Sequence, residues 1–128
     1  MTPDIRIGAR ERIEIWKDRR FPETKIEYTK ILDDYLTLCE KNNIRPIMFL
    51  PPVTEGYMKY FDKQLLDEFY CSVHDAQKKH PAAIFLDGWK LPTFPDSDFW
   101  DTDHLNINGA AKFSAMFNSM IENFERMS

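Results

Sequence analysis

Two short apolar runs, each ended by residues that break a strand, constrain this 128-residue chain more than any other feature. The first, Ile44-Arg45-Pro46-Ile47-Met48-Phe49-Leu50, stops at Pro51 and Pro52, neither of which has an N–H to donate to a ladder. The second, Ala82-Ala83-Ile84-Phe85-Leu86, stops at Asp87-Gly88. Between them, Met58, Phe61, Leu65, Phe69, Val73 and Ala76 recur at helical spacing, which predicts one helix over residues 57–79. Lys78, Lys79 and His80 fill its last turn, with the histidine near the surface, and Pro81 stops it. A strand apolar on both faces belongs in a sheet with helices on either side. The strand–helix–strand order therefore predicts that residues 47–50 and 83–86 are parallel neighbours joined by a right-handed crossover.

The flanking segments extend the pattern. Tyr28, Ile31, Leu32, Tyr35, Leu38 and Cys39 give a helix over residues 24–42, which the asparagines at its end can terminate in the left-handed conformation. Ala110, Phe113, Met116, Phe117, Met120, Ile121 and Phe124 give a last helix starting near Asn108, a suitable N-cap. At the other end, Ile5 and Ile7 alternate with polar residues as in a short strand, while Ala9, Ile13, Trp16 and Arg20 follow helical spacing over residues 9–20. The whole reads as a single α/β domain spanning residues 1–128, a parallel sheet layered with helices. Two strands leave such a sheet with an unpaired edge. The expectation is that residues 1–8 supply a further strand, that a second copy does so in a homo-oligomer, or that the chain is part of a longer protein.

Charge and composition narrow the function classes. The net charge is −4 with no basic stripe, so nucleic acid is not an expected partner. No apolar run reaches the length of a membrane span or signal peptide, and nothing in the sequence gives a compartment. Cys39 and Cys71 fall inside expected helices without a second ligand at C-x-x-C spacing, so both are expected to be free, buried thiols.

The chemistry concentrates in residues 87–107, a long loop holding Trp89, Phe94, Phe99 and Trp100 with Asp96, Asp98, Asp101 and Asp103. A loop this long in a compact domain is more often functional than idle. Asp101 precedes His104 by three residues, so a carboxylate is positioned to orient an imidazole, two thirds of a nucleophilic triad. The bland alternative makes His104 a packing residue at the start of the last helix and Asp101 a solvated loop carboxylate. No serine stands in a recognisable activating setting. Ser97 lies between Asp96 and Asp98, whose charges oppose an alkoxide, and Ser72 and Ser114 fall inside helices rather than on a strand-to-helix elbow. The aspartates do not match the calcium-loop pattern and no H-E-x-x-H occurs, so neither metal nor cofactor is expected. Thr54 and Tyr57 follow the first strand, where α/β ligand sites gather. With Asn106 they are the substrate-binding candidates, although capping is the simpler role for Asn106, as loop formation is for Asp103.

The segments I-R-P-I-M-F-L-P-P-V-T (residues 44–54) and F-W-D-T-D-H-L-N-I-N-G-A-A-K-F-S (residues 99–114) resemble the C-terminal half of SGNH-type (GDSL-like) hydrolases, in the DltD-like and alginate-acetylase-like branch. The resemblance covers about residues 25–125. It implies a flavodoxin-like parallel sheet of which this chain holds the last two strands. It implies that His104 takes and returns the serine proton and that Asp101 fixes the imidazole tautomer. The activity implied is that of an esterase or O-acyltransferase, moving D-alanyl or acetyl groups on a carbohydrate or polyol phosphate polymer of the cell surface. The branch usually works outside the cytoplasm behind a membrane anchor, an implication that does not transfer to a chain without one. The G-D-S nucleophile block and the G-x-N-D block have no counterpart in this sequence. The chain then reads as the C-terminal portion of a larger fold. The alternatives are a non-catalytic interaction or oligomerisation module, or a fragment without activity of its own.

Overall fold

The computed structural model describes residues 3–17, 21–92 and 94–127. Seven main elements follow one another: α1 (Pro3–Lys17), α2 (Pro22–Lys41), β1 (Ile47–Leu50), α3 (Glu55–Tyr60), α4 (Lys63–Lys79), β2 (Ile84–Asp87) and α5 (Ile107–Met127). Two single 3₁₀ turns, Gly88–Lys90 and Asp96–Asp98, lie in the segment between β2 and α5.

The two strands pair in parallel, with Ile47 opposite Ile84 and Leu50 opposite Asp87. The pairing is the one the apolar runs predict. Because successive side chains point to opposite faces, Met48 and Phe85 share one face while Phe49 and Leu86 share the other. Phe85 meets the rings of Phe69 and Tyr70 on α4. Phe49 meets those of Phe113 and Phe117 on α5. The sheet thus has a helical layer on each side, as two-sided apolar strands require.

β2 ends in Gly88, which packs against the turn leaving β1. A Cβ there would fall 2.8 Å from the Pro52 nitrogen and 2.9 Å from the Pro51 carbonyl carbon, and closer still to the Leu50 carbonyl oxygen. Only glycine permits this approach, which holds the two strand ends together.

Several expectations are corrected. The expected single helix over residues 57–79 is two helices, because Asp62 accepts the Leu65 N–H at 3.2 Å and caps a new helix start. Residues 3–8 are helical, so the covering strand expected from Ile5 and Ile7 does not form. Pro3 begins the helix where its missing N–H costs nothing, and Ala9 and Ile13 bury one face. Met1, Thr2 and Arg20 lie outside the described residues. The apolar stripe of α2 is only partly covered: Leu36 and Cys39 are buried, whereas Tyr28, Ile31, Tyr35 and Leu38 are exposed. Helical period finds a stripe but not the width of the surface that meets it. Cys39 is buried and Cys71 exposed, and both are free. Asn43 takes φ 54° and ends the α2 region in the left-handed conformation.

His80 is also corrected, from a surface residue to a buried one. It closes α4 with 5% exposure. Nδ1 lies 2.7 Å from Glu40 Oε1 and Nε2 lies 2.7 Å from Asp33 Oδ1. Both carboxylates belong to α2, so the ring clamps α2 to the α4–β2 junction. Two carboxylate acceptors require both nitrogens to donate, which is the imidazolium form. The hydrogen bond to Asp33, then that to Glu40, raises the imidazole above its ordinary 6.5. The bond to His80 holds Asp33 below its ordinary 3.8.

The clamp is therefore stabilising between two limits. A raised imidazole contributes fully below about 6.5 and loses its contribution as pH rises through the folded value. The depressed Asp33 loses its share as pH falls below about 3.9. Denaturant unfolding of the wild type should show lower stability at pH 9 than at pH 5.5. His80→Gln should lose most of that difference. Equal pH dependence in the two proteins would show that His80 is not the clamp.

Candidate functional site

The loop between β2 and α5 is built from the inside out. Phe94 and Phe99 are each 5% exposed and anchor it in the core. Phe99 and Leu105 form an antiparallel bridge, the Trp100 N–H donates to the His104 carbonyl at 2.8 Å, and the Asn106 N–H donates to the Asp98 carbonyl at 2.9 Å. The loop is thereby folded into a tight hairpin with residues 101–104 at its tip. Asn106, not Asn108, caps α5. Its Oδ1 accepts the Gly109 N–H at 2.9 Å and its Nδ2 donates to the Ser97 carbonyl at 2.7 Å. A Cβ at Gly109 would run into the Asp98 carbonyl oxygen. The buried Asp98 accepts from Lys112 Nζ of α5.

At the tip, Asp101 curls its carboxylate back over the following residues. Its Oδ1 accepts the N–H of Asp103 at 3.1 Å and that of His104 at 2.8 Å. The His104 ring turns to the same carboxylate, with Nδ1 2.9 Å from Oδ1 and 3.0 Å from Oδ2. The three-residue spacing that suggested an orienting carboxylate produces that contact. Burial pushes the Asp101 carboxyl up, but the Asp103 N–H and the His104 imidazole outweigh it and hold it below the ordinary carboxylate range. An ionised Asp101 requires a proton on Nδ1, which leaves a lone pair on Nε2 of a neutral ring. His104 is 66% exposed, so that lone pair faces solvent. This is the tautomer a general base needs.

Sequence reasoning missed a third member. Arg12 of α1 pairs with Asp103 and lies 3.5 Å from Asp101 Oδ2. No local motif links it to the loop ninety residues away; α1 packing on α3 brings it there. Asp101, Asp103 and His104 each place a donor atom within 4.8 Å of the others. The guanidinium already meets the two carboxylates, a cationic partner fixed in place.

The three substrate-binding candidates separate. Thr54 is fully buried. Its N–H and its hydroxyl both donate to the Thr102 carbonyl, at 3.1 and 2.7 Å, and the hydroxyl oxygen accepts the Tyr57 N–H at 3.2 Å as the α3 cap. Its side chain pins the segment after β1 to the D-T-D-H loop and presents nothing to a ligand. Asn106 is spent on capping. Tyr57 alone lines a cavity, about 750 Å³ in volume, whose walls also include Leu50, Val53, Phe61, Leu65, Trp89 and Asp103. Burial, then the charge of Asp103, raises its phenol above the ordinary value, so Tyr57 stays a neutral donor. Ser97 gives its carbonyl to Asn106. Among the described residues no hydroxyl or thiol hydrogen-bonds the His104 ring. Among the described helices none is long and apolar enough to cross a membrane.

No family model, curated protein or solved structure matches this chain.

Two outcomes test this geometry. Thr54→Val should destabilise the fold by about 1–3 kcal/mol, since it strands the buried Tyr57 N–H and weakens the hold on Thr102. Chemical denaturation measures it, and a change within error would remove Thr54 from the anchoring role. Nitrogen NMR of the neutral His104 ring should show the proton on Nδ1. In Asp101→Asn the Nε2–H form should appear in quantity. An unchanged tautomer in that variant would mean the carboxylate does not set it.

Proposed function

We propose that Asp101 and His104 are the acid–base pair of an SGNH-like acyl-transfer site, as in an esterase or O-acyltransferase. The observation that carries this reading is the paired geometry at the loop tip: an ionised carboxylate on Nδ1 and a solvent-facing Nε2. The nucleophilic serine and its oxyanion donors come from outside this chain's described residues, in a preceding segment of a longer polypeptide or in another subunit. The two strands are then the last two of a larger flavodoxin-like sheet, and the uncovered edge of β1 is where the others join. In the reaction, His104 Nε2 takes the proton of the serine hydroxyl as it attacks the ester carbonyl, and returns it to the departing alkoxide. Asp101 holds the imidazolium that forms between the two events.

An acceptor sugar or polyol of a cell-surface polymer fits the surroundings. Trp100 is 81% exposed beside the dyad. An indole so placed presents a broad apolar face with one polar edge, a platform for the less polar face of a sugar ring.

A second reading is a non-catalytic interaction or homo-oligomerising module. It is favoured by the exposed stripe of Tyr28, Ile31, Tyr35 and Leu38 on α2 and by β1 having, among the described residues, a partner strand on one side.

The isolated chain should turn over p-nitrophenyl acetate no faster than its imidazole accounts for, and a fluorophosphonate should label no serine stoichiometrically. In the native assembly, the same probe should label one serine. His104→Ala should abolish the labelling and Asp101→Asn should slow it by as much as ~10⁴. Labelling of the assembly that survives His104→Ala would sink the acid–base assignment. Stoichiometric labelling of the isolated chain would place the nucleophile within it.

A further inference from the structure

The cavity beside the dyad has its own chemistry. Leu50, Val53, Tyr57, Phe61, Leu65 and Trp89 make most of its wall, and its volume is about 750 Å³. That lies within the range of sites for small organic ligands, which are chiefly apolar with a few placed polar groups. The charged groups on the wall are Lys25, Glu68 and Asp103. Lys25 and Glu68 pair at 3.8 Å and Asp103 pairs with Arg12, so the charges on the wall are already matched. Asp103 is also the link to the reaction centre, because His104 Nδ1 lies 3.5 Å from its carboxylate. Past Lys25, Glu68 and Ser72 a second groove between α2 and α4 carries more charged groups, Asp33, Asp67 and Asp75 among them, although most of its surface is still apolar. The apolar cavity thus touches the dyad through Asp103 and adjoins this more charged groove through Lys25, Glu68 and Ser72.

One wall group has no acceptor. The Trp89 Nε1–H is buried and unpaired among the described residues. Buried donors are nearly always satisfied. The ring is held edge-on by Tyr57 and Phe61, so the donor sits among the residues that shape the cavity.

The geometry points to a binding site for the acyl chain of a neutral ester: a medium-length, unbranched apolar chain lies in the cavity and its ester group emerges at Asp103 beside His104. This rests on the acyl-transfer reading above and names the part of the substrate which that reading leaves open. Charge chooses between the chain's two common carriers. A free fatty carboxylate finds Lys25 and Arg12 already paired with Glu68 and Asp103, so taking its charge out of water costs binding. An uncharged ester carries no such cost. An acetyl or alanyl group alone would leave most of the apolar wall wet.

Titration calorimetry on the full chain tests this, using 1-monoacylglycerols from hexanoyl to dodecanoyl below their micelle concentrations, with dodecanoate as the charged comparison. Affinity should rise by about fourfold per added methylene while the chain lengthens within the cavity. Dodecanoate should bind more weakly than the dodecanoyl ester at pH 8. Leu65 is 38% exposed, so Leu65→Arg can be introduced without burying its charge. It should weaken dodecanoyl binding at least tenfold while the melting temperature holds, and Leu65→Gln should shift it in the same direction. His104→Ala should bind as the wild type does. Affinity independent of chain length, indifference to both Leu65 variants, or tighter binding of the carboxylate would each overturn the proposal. The dyad reading fails separately, on the serine probe, and binding to His104→Ala does not depend on it.

Discussion

The parallel pairing of β1 with β2 is the constraint from which the site descends. Four residues on each strand lie in register, and helices pack on both faces, α4 against Phe85 and α5 against a half-exposed Phe49. Gly88 brings the end of β2 against the Leu50–Pro52 backbone. From that junction the chain departs in two directions, to Thr54 on one side and to the Trp89 loop on the other. Thr54 then ties them together again through Thr102. The dyad is thus two buried hydrogen bonds away from the sheet, which is how a loop tip keeps a defined geometry.

Charge is arranged around this frame in a way that sustains the chemistry. The aspartates of the loop are not simply solvated. Asp98 meets Lys112, Asp103 meets Arg12, and Asp101 gathers two backbone N–H groups and an imidazole. Each carboxylate therefore has specific local partners. The result is an imidazole fixed in one tautomer at the surface, beside an apolar cavity that shares Asp103 with it. A reactive group at the mouth of an apolar recess suits a substrate with one polar and one apolar part.

Around α2 the balance is different. α2 is held by His80 between Asp33 and Glu40 and by buried Leu36 and Cys39, yet its Tyr28–Leu38 stripe meets solvent. β1 is apolar on both faces but paired on one edge. A two-stranded sheet seldom stands by itself.

Local rules made much of this legible in advance. The strands could be read because prolines and a glycine punctuate short apolar runs. The Asp101–His104 contact followed from a spacing of three, and the capping role of Asn106 from its side chain. The α3–α4 break was legible in principle, since Asp62 is an N-cap residue, but the apolar period runs through it and hides it. Other features depend on distant partners. Arg12 reaches the acidic loop only because α1 packs on α3, and His80 is buried only because Asp33 and Glu40, on another helix, supply acceptors for both nitrogens. The exposure of most of the α2 stripe belongs to the same class. Sequence period and turn chemistry are set by neighbours a few residues apart, so the chain by itself determined its elements and the tip of its site. Burial, charge partners and the cavity depend on which elements meet, and only the tertiary structure decided those.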